Sequence, residues 1–283
     1  MSIFGNDDLD RLRSLYPAQP GKLTHRLTDH RLLTLEALVE LGRTLPAEHV
    51  EYNAGDLPIG VDPDAVSRTG LSVEETIRGI ENCGSWMVLK YVEQDPAYAA
   101  LLEEVLGELA PVVEPVTGEM LTHQGFIFVS SPGAVTPFHM DPEHNILLQV
   151  RGSKTMTIFP GDDQVVPDEM HETYHAGGHR NLTWQDEFAH LGEAFTLTPG
   201  EAVHVPVKRP HWVQNGPEPS ISFSITWRSN WSYEEADARG MNRLMRGWGL
   251  RPSAPAAFPK RPLGKSYAFR AIRKARSIVG KAT

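Results

Sequence analysis

The sequence predicts a mainly β protein with flanking helices. Three observations support this fold class: short apolar runs follow one another after residue 120, helical periodicity dominates before them, and it returns after Trp231. Many short strands separated by turn signals are typical of β-sandwiches and barrels. The chain has 283 residues, of which 40% are hydrophobic and 22% charged, as in an ordinary globular protein.

The first 120 residues are predicted to be mostly helical. Ser72 and Glu75 form a capping-box pattern ahead of an apolar segment, and Asp95 followed by proline opens a second helix. Residues 85–92, SWMVLKYV, are β-branched and aromatic, which predicts a strand. Residues 51–70 are rich in Asn, Gly, Pro and Asp and are expected to form a surface loop.

Eight apolar runs in the middle of the chain are predicted to be strands, because Gly, Pro or Asn closes each one. They span residues 125–131, 134–140, 145–150, 154–159, 194–198, 202–207, 211–215 and 220–227. Residues 151–153, Arg-Gly-Ser, predict a hairpin turn between the third and fourth runs. The polar segment 160–186, with two adjacent glycines, is predicted to be a functional lid.

Charge is unevenly distributed along the chain, whose formal net charge is −9. From Pro259 onward there are eight basic residues and no acidic ones, which leaves 19 basic and 36 acidic residues in the rest. An acidic body is expected to repel nucleic acid. The basic tail is suited to RNA, anionic lipid or an acidic partner patch, or it forms a terminal helix with a solvated basic face.

Several classes of protein are not expected from this sequence. No apolar run approaches the roughly 18 residues of a membrane span, and the N-terminus lacks the apolar core of a secretory signal. The single cysteine, Cys83, allows neither an intrachain disulfide nor a cysteine-based zinc site. We therefore expect a reducing, cytoplasmic setting.

A candidate metal site lies in the segment TPFHMD, which ends at Asp141. Residues two apart on a strand project from the same face, so His139 and Asp141 would point together. A histidine and a carboxylate are two-thirds of the facial triad that binds non-haem Fe(II). His211, which begins its own strand after a proline-containing approach, is the candidate for the third ligand.

Lys154 begins a predicted strand whose other residues are apolar or threonine. A lysine that faces into a barrel is costly unless an anion pairs with it. A dicarboxylate co-substrate would supply that anion. The alternative is that Lys154 points to solvent at the end of a hairpin.

Two segments resemble the core motifs of a known family. TPFHMDPEHNILLQVRGSKTMTIFP and GEAVHVPVKRPHWVQN are similar to the JmjC-type, cupin-like Fe(II)/2-oxoglutarate oxygenases, above all to their asparaginyl hydroxylase-like protein hydroxylase branch. The resemblance covers about residues 85–230 and implies a double-stranded β-helix, a jelly-roll barrel. The expected parts are a helical N-terminal region packed on the barrel (1–120), the barrel (121–231), and a C-terminal helix with the basic tail (232–283).

The resemblance also implies a reaction and the residues that carry it. The reaction is hydroxylation of a protein or peptide side chain, which consumes O2 and 2-oxoglutarate and releases succinate and CO2. The implied Fe(II) ligands are His139, Asp141 and His211. The implied 2-oxoglutarate residues are Thr136 and Lys154, at the distal carboxylate, and Asn145, beside the metal and the co-substrate.

The segment after His211, which matches the family's distal histidine, agrees with the family pattern in one respect and departs from it in another. Many small-molecule oxygenases hold 2-oxoglutarate with an arginine about ten residues after that histidine, whereas here no arginine occurs before Arg228. This absence favours the JmjC-type arrangement. The late strand SISFSITW lacks the asparagine found in some family hydroxylases, so Ser222, Ser224 or Thr226 is expected to take its place.

Other histidines are expected to have lesser roles. His171, His175 and His179 are spaced by four, but two adjacent glycines interrupt any helix there, so a polar lid is favoured over a second metal site. His204 is expected to be a wall residue or a substrate contact. His144 is expected to face solvent or the rim, because it alternates out of register with its neighbour.

Alternative functions remain open from the sequence. They are demethylation of an N-methyl group, oxidation of a small molecule, a non-catalytic cupin-like binding module, and a metal-dependent isomerase or dioxygenase that uses no 2-oxoglutarate. The helix predicted at 233–248 carries Met241, Leu244, Met245 and Trp248 on one side. The resemblance implies a homodimer through this helix, and the alternative is that it packs on its own barrel.

Overall fold

A computed structural model describes residues 2–60 and 69–279, and within them the chain forms two antiparallel sheets flanked by helices. The strands are β1 (Gly21–Thr24), β2 (Val50–Ala54), β3 (Ser85–Lys90), β4 (Met120–Ser130), β5 (Val135–His139), β6 (His144–Arg151), β7 (Lys154–Ile158), β8 (Glu193–Leu197), β9 (Glu201–Val205), β10 (His211–Asn215) and β11 (Ser220–Ser229). The helices are α1 (Asn6–Leu15), α2 (Leu35–Thr44), α3 (Val73–Arg78), α4 (Pro96–Thr117), α5 (Asp168–Tyr174), α6 (Asn230–Gly247) and α7 (Leu263–Val279).

The two sheets form the predicted double-stranded β-helix. The larger sheet has the order β1-β9-β6-β11-β4-β3-β2, and the smaller has the order β5-β10-β7-β8. The eight strands predicted after residue 120 are β4 to β11, and they divide equally between the sheets, as in a jelly roll. The N-terminal region supplies helices and also three strands, β1, β2 and β3, which extend the larger sheet at both edges.

The prediction of a hairpin at 151–153 is wrong, because β6 and β7 do not pair with each other. β6 pairs with β9 and β11, whereas β7 pairs with β10 and β8 in the other sheet. The turn therefore carries the chain from one sheet to the other. Gly152 has a φ of 66°, and a Cβ there would collide with the carbonyl of Pro219. A tight glycine turn is compatible with a hairpin and with a crossover between the sheets, so the turn residues alone could not distinguish these two connections.

The residues of β11 alternate between two environments. Phe223, Ile225 and Trp227 are buried in the large core that also contains the apolar side chains of α4. Ser224 and Thr226 lie on the opposite face and line the interior of the barrel. The period of two thus places apolar residues against the helices and polar residues inside the barrel. Most of the hydrophobic stabilisation comes from the helix side, which leaves the interior available for polar groups.

The C-terminal helices pack together through ion pairs. Arg261 donates to Glu234 of α6 at 2.7 Å, and Arg270 and Arg273 of α7 pair with Asp237. Part of the basic tail therefore finds its acidic partners within the chain. In the described ranges, every helix falls short of the length or apolarity needed to cross a bilayer. Trp248 is exposed at the end of α6, and the homodimer stays a prediction.

Two histidines occupy positions that correct the sequence expectations. His144 is 0% exposed, stacks on Trp227 and bonds the Ser229 hydroxyl at 2.9 Å, so it faces neither solvent nor the rim. His204 is also 0% exposed; it lies outside the cavity and donates through Nδ1 to the Gln19 carbonyl at 2.9 Å. Both side chains lie on the face of the larger sheet opposite the cavity, where the ring of Tyr16 contacts each of them.

His204 makes the stability of the fold depend on pH. Burial lowers its pKa to about 4, against an ordinary value of 6.5. Between these values the unfolded chain binds a proton that the folded chain does not. The stability contributed by neutral His204 is therefore fully present above pH 6.5 and falls as the pH approaches 4. We expect His204 to contribute a loss of about 3 kcal/mol over this range.

Urea unfolding between pH 7 and pH 4 measures this loss for the wild type and for His204→Gln. The variant should lose less unfolding free energy across the range. His190→Gln, which changes an exposed histidine, is the matched control and should follow the wild type. Parallel curves for the wild type and His204→Gln would contradict the assignment.

Candidate metal centre

Three predicted ligands meet where β5 ends and β10 begins. His139 is the last residue of β5 and His211 the first of β10, and they are directly paired across the two strands. Asp141 Oδ2 lies 3.6 Å from His139 Nε2 and 3.7 Å from His211 Nε2. Among the described residues, this is the one group of three or more His, Cys, Asp or Glu side chains whose ligand atoms all lie within 4.8 Å.

Backbone carbonyls orient both imidazoles. His139 Nδ1 donates to the carbonyl of Pro137 at 2.7 Å, and His211 Nδ1 donates to that of Arg209 at 2.9 Å. In a neutral imidazole whose Nδ1 carries the ring proton, Nε2 keeps its lone pair, and here both Nε2 atoms face Asp141. Two imidazole nitrogens and one carboxylate oxygen form a donor set that suits a divalent transition metal.

The protonation states of His211 and Asp141 favour the binding of a cation. Burial lowers the pKa of His211 to about 4, with a smaller contribution from neighbouring His139, so its imidazole is neutral near pH 7. Burial would raise the pKa of Asp141, but attraction to His139, Arg180 and His211 holds it below the ordinary value. An ionised carboxylate beside a neutral imidazole is ready to bind a positive ion.

A cavity of about 790 Å³ opens beside the three ligands and continues into the barrel. All three residues predicted to hold the co-substrate line it: Thr136, Asn145 and Lys154. The structure thus brings the whole predicted set of six side chains to one cavity, three around the shared centre and three along the wall.

Lys154 points into the barrel rather than to solvent. It is 4% exposed, and its Nζ lies 5.9 Å from the centroid of the Phe128 ring. Within the described part of the chain, no carboxylate forms an ion pair with it, and burial lowers its pKa to about 7. A buried ammonium without a counter-ion is costly, so this end of the cavity is suited to an anion.

Of the three candidates on the late strand, Ser224 forms a hydrogen bond with the side chain of Asn145. Ser224 donates to Asn145 Oδ1 at 2.8 Å and lines the cavity, which leaves the amide N–H groups of Asn145 for a ligand. Thr226 also lines the cavity. Ser222 lies on the same face but donates to Gln149 at 3.0 Å, outside the cavity.

The 160–186 segment covers the metal side of the cavity. Its residue 180 is Arg180, whose guanidinium contacts Asp141 Oδ1 at 3.3 Å. The three spaced histidines do not gather: His175 lies 3.5 Å from Lys208 Nζ, while His179 lines the cavity. The sequence predicted a functional lid in this segment, but it offered no signal that Arg180 would reach Asp141.

The N-terminal strands build the outer wall of the cavity. Trp86, Lys90 and Tyr91 line it, and Lys90 forms an ion pair with Glu51 of β2. Glu143 also lines the cavity, where burial and the nearby charge of Asp141 raise its pKa to about 7. The outer wall is therefore aromatic and charged, whereas the inner end combines polar side chains such as Asn145 with apolar ones such as Leu147 and Met156.

Comparisons with known proteins agree with this geometry. No protein-family model matches the chain. A Drosophila melanogaster protein, Jumonji C domain-containing protein 5, is 31% identical over 112 residues, which are 34% of this chain and 25% of that protein. The matched region thus spans about a quarter of that relative.

Solved structures match over nearly the full chain. One, E. coli ycfD, has a TM-score of 0.55 at 15% identity, over 96% of this chain and 68% of that one. Another is YcfD, described as a ribosomal oxygenase from Escherichia coli in complex with cobalt and 2-oxoglutarate, with a TM-score of 0.50 at 14% identity, over 95% and 67% of the two chains. The chain therefore shares the fold of these solved structures, and over 112 residues its sequence is similar to that of a Jumonji C domain-containing protein.

Proposed function

We propose that the chain is an Fe(II)- and 2-oxoglutarate-dependent oxygenase that hydroxylates a side chain of a protein or peptide, with consumption of O2 and release of succinate and CO2. One observation carries the proposal: a buried lysine that pairs with no carboxylate in the described part of the chain shares a cavity with two histidines and an aspartate. A metal site alone needs no such cation. A co-substrate that chelates the metal at one end and carries a carboxylate at the other needs both.

Seven residues of the cavity would have defined parts in this reaction. His139, Asp141 and His211 would hold Fe(II), which supplies O2 activation and the oxidative decarboxylation of 2-oxoglutarate when bound. Lys154 and Thr136 would bind the distal carboxylate. Asn145, held by Ser224, would donate to the co-substrate near the metal. The carbonyls that fix both Nδ1 protons keep the imidazoles in the ligating orientation.

A protein or peptide substrate is supported by the comparisons and by the outer wall. One structural neighbour is described as a ribosomal oxygenase, and that complex contains cobalt and 2-oxoglutarate. The cavity reaches past the inner end to aromatic and charged residues of the N-terminal strands, including Trp86 and Tyr91. The proposal includes a cytoplasmic location, and a homodimer through α6 stays part of it as a prediction.

Turnover of 2-oxoglutarate tests the proposal. Protein loaded anaerobically with Fe(II) and then exposed to O2 should form succinate and CO2 from 2-oxoglutarate, and a peptide substrate should gain one oxygen atom from labelled O2. Asp141→Ala should reduce succinate formation to background, because it removes the only anionic ligand of the three. Asp163→Ala, which removes an exposed carboxylate of the lid, should leave turnover unchanged. Equal background rates in the wild type and Asp141→Ala would refute the enzyme assignment.

Lys154 should control the affinity for 2-oxoglutarate but not for the metal. We expect Lys154→Met to weaken 2-oxoglutarate binding by about a hundredfold, because a buried charge pair is lost. Calorimetry with the Mn(II)-loaded protein, without O2, measures both affinities. Lys90→Met is the matched control, since Lys90 lines the same cavity but has Glu51 as its partner. Unchanged 2-oxoglutarate affinity in Lys154→Met would remove Lys154 from the binding site.

The same lysine predicts a pH dependence of 2-oxoglutarate binding. With a pKa of about 7 in the free protein, Lys154 is increasingly neutral above pH 7, and binding of the anion favours its protonated form. The Kd should therefore rise about tenfold per pH unit above 7, with uptake of about one proton on binding. Lys154→Arg should flatten this dependence, because a guanidinium stays charged. Calorimetry in buffers of different ionisation enthalpy measures the proton uptake, and its absence at pH 8 would contradict the prediction.

A further inference from the structure

The two oxygens of Asp141 have different neighbours. Oδ2 faces His139 Nε2 at 3.6 Å and His211 Nε2 at 3.7 Å. Oδ1 accepts from the guanidinium of Arg180 at 3.3 Å. One oxygen is thus presented to the shared centre, and the other is already bonded to a residue outside the barrel strands.

Backbone hydrogen bonds set the position of Arg180. Its carbonyl accepts from the N–H of Met140 at 3.2 Å, and two residues later the N–H of Leu182 donates to the carbonyl of Phe138 at 3.0 Å. Asn181 forms an isolated bridge with His139. The lid therefore runs as a short extra strand beside β5, and Arg180 is held next to Asp141 by the backbone as well as by its own side chain.

We propose that Arg180 is a positioning residue that restricts Asp141 to ligation through Oδ2 alone. This inference rests on the proposed function. A carboxylate can bind a metal through one oxygen or through both. The facial arrangement needs three open positions, two for the 2-oxo acid and one for O2. If Oδ1 were released, Asp141 could rotate to bind through both oxygens and occupy a position that the co-substrate needs.

A second arginine contact of the lid provides a control. It distinguishes a direct effect on Asp141 from a general weakening of the lid's attachment. Arg246 of α6 donates to Glu172 of α5 at 2.7 Å and so ties the lid to the C-terminal helix. It makes no contact with Asp141. Arg246→Ala should therefore weaken the attachment of the lid, whereas changes at Arg180 should act on the aspartate itself.

Cobalt absorption and 2-oxoglutarate affinity together test the role of Arg180. The full chain is loaded with Co(II) without O2 and titrated with 2-oxoglutarate, for the wild type, Arg180→Gln, Arg180→Lys and Arg246→Ala. Arg180→Gln should bind Co(II) within a few fold of the wild type, show a changed visible spectrum before co-substrate is added, and bind 2-oxoglutarate at least about tenfold more weakly. Arg180→Lys should recover part of the affinity, since one ammonium can donate to Oδ1. Arg246→Ala should keep the wild-type spectrum.

The outcomes distinguish this inference from the proposed function. If the wild type binds neither Co(II) nor 2-oxoglutarate, the proposed function fails and this inference with it. If the wild type binds both, and Arg180→Gln has the same spectrum and the same 2-oxoglutarate affinity, only the role of Arg180 is refuted. Loss of Co(II) binding in both Arg180 variants, with the fold intact by circular dichroism, would also refute it, because Arg180 would then be needed for metal binding itself.

Discussion

The pairing of His139 with His211 across β5 and β10 is the constraint on which the site depends. It brings the ring centroids to 4.2 Å, and Asp141 follows one of the paired strands closely enough to complete the set. Since side chains alternate along a strand, a shift of one residue in this pairing would move one imidazole to the opposite face. The core between the sheets, formed by residues such as Leu147, Met156 and Val213, opposes that shift.

The larger sheet presents different side chains on its two faces. On the larger sheet, apolar side chains such as Phe223 and Ile225 pack outward against α4, while Ser224 and Asn145 face inward. This arrangement lets the interior contain groups that are costly without a ligand, above all Lys154. The outer helix layer supplies the stability that such an interior cannot provide, because burial of apolar surface is the main favourable term in folding.

Helix α6 is linked to the candidate metal centre through Lys208. The backbone N–H of Lys208 donates to the carbonyl of Asp141 at 2.8 Å, and its φ of 57° lies in the left-handed region. Its side chain pairs with Glu235 of α6, which also accepts from Arg239 at 2.9 Å. Arg239 pairs with Asp168 of α5, so an ionic network joins α6 to the lid, and the backbone of Lys208 joins this network to Asp141.

Local signals in the sequence determined nine of the eleven described strands and the residue types that meet in the cavity, but not β1 or β2, the second of which lies mostly in a segment expected to be a surface loop. The alternation around His139 and Asp141 and the apolar context of Lys154 were visible in the sequence because a strand repeats every two residues. The partner of each strand was not visible, because pairing joins residues far apart in the chain. Only the tertiary structure therefore decided that the turn after β6 crosses between sheets, that His144 and His204 face the helix core, and that Arg180 reaches Asp141.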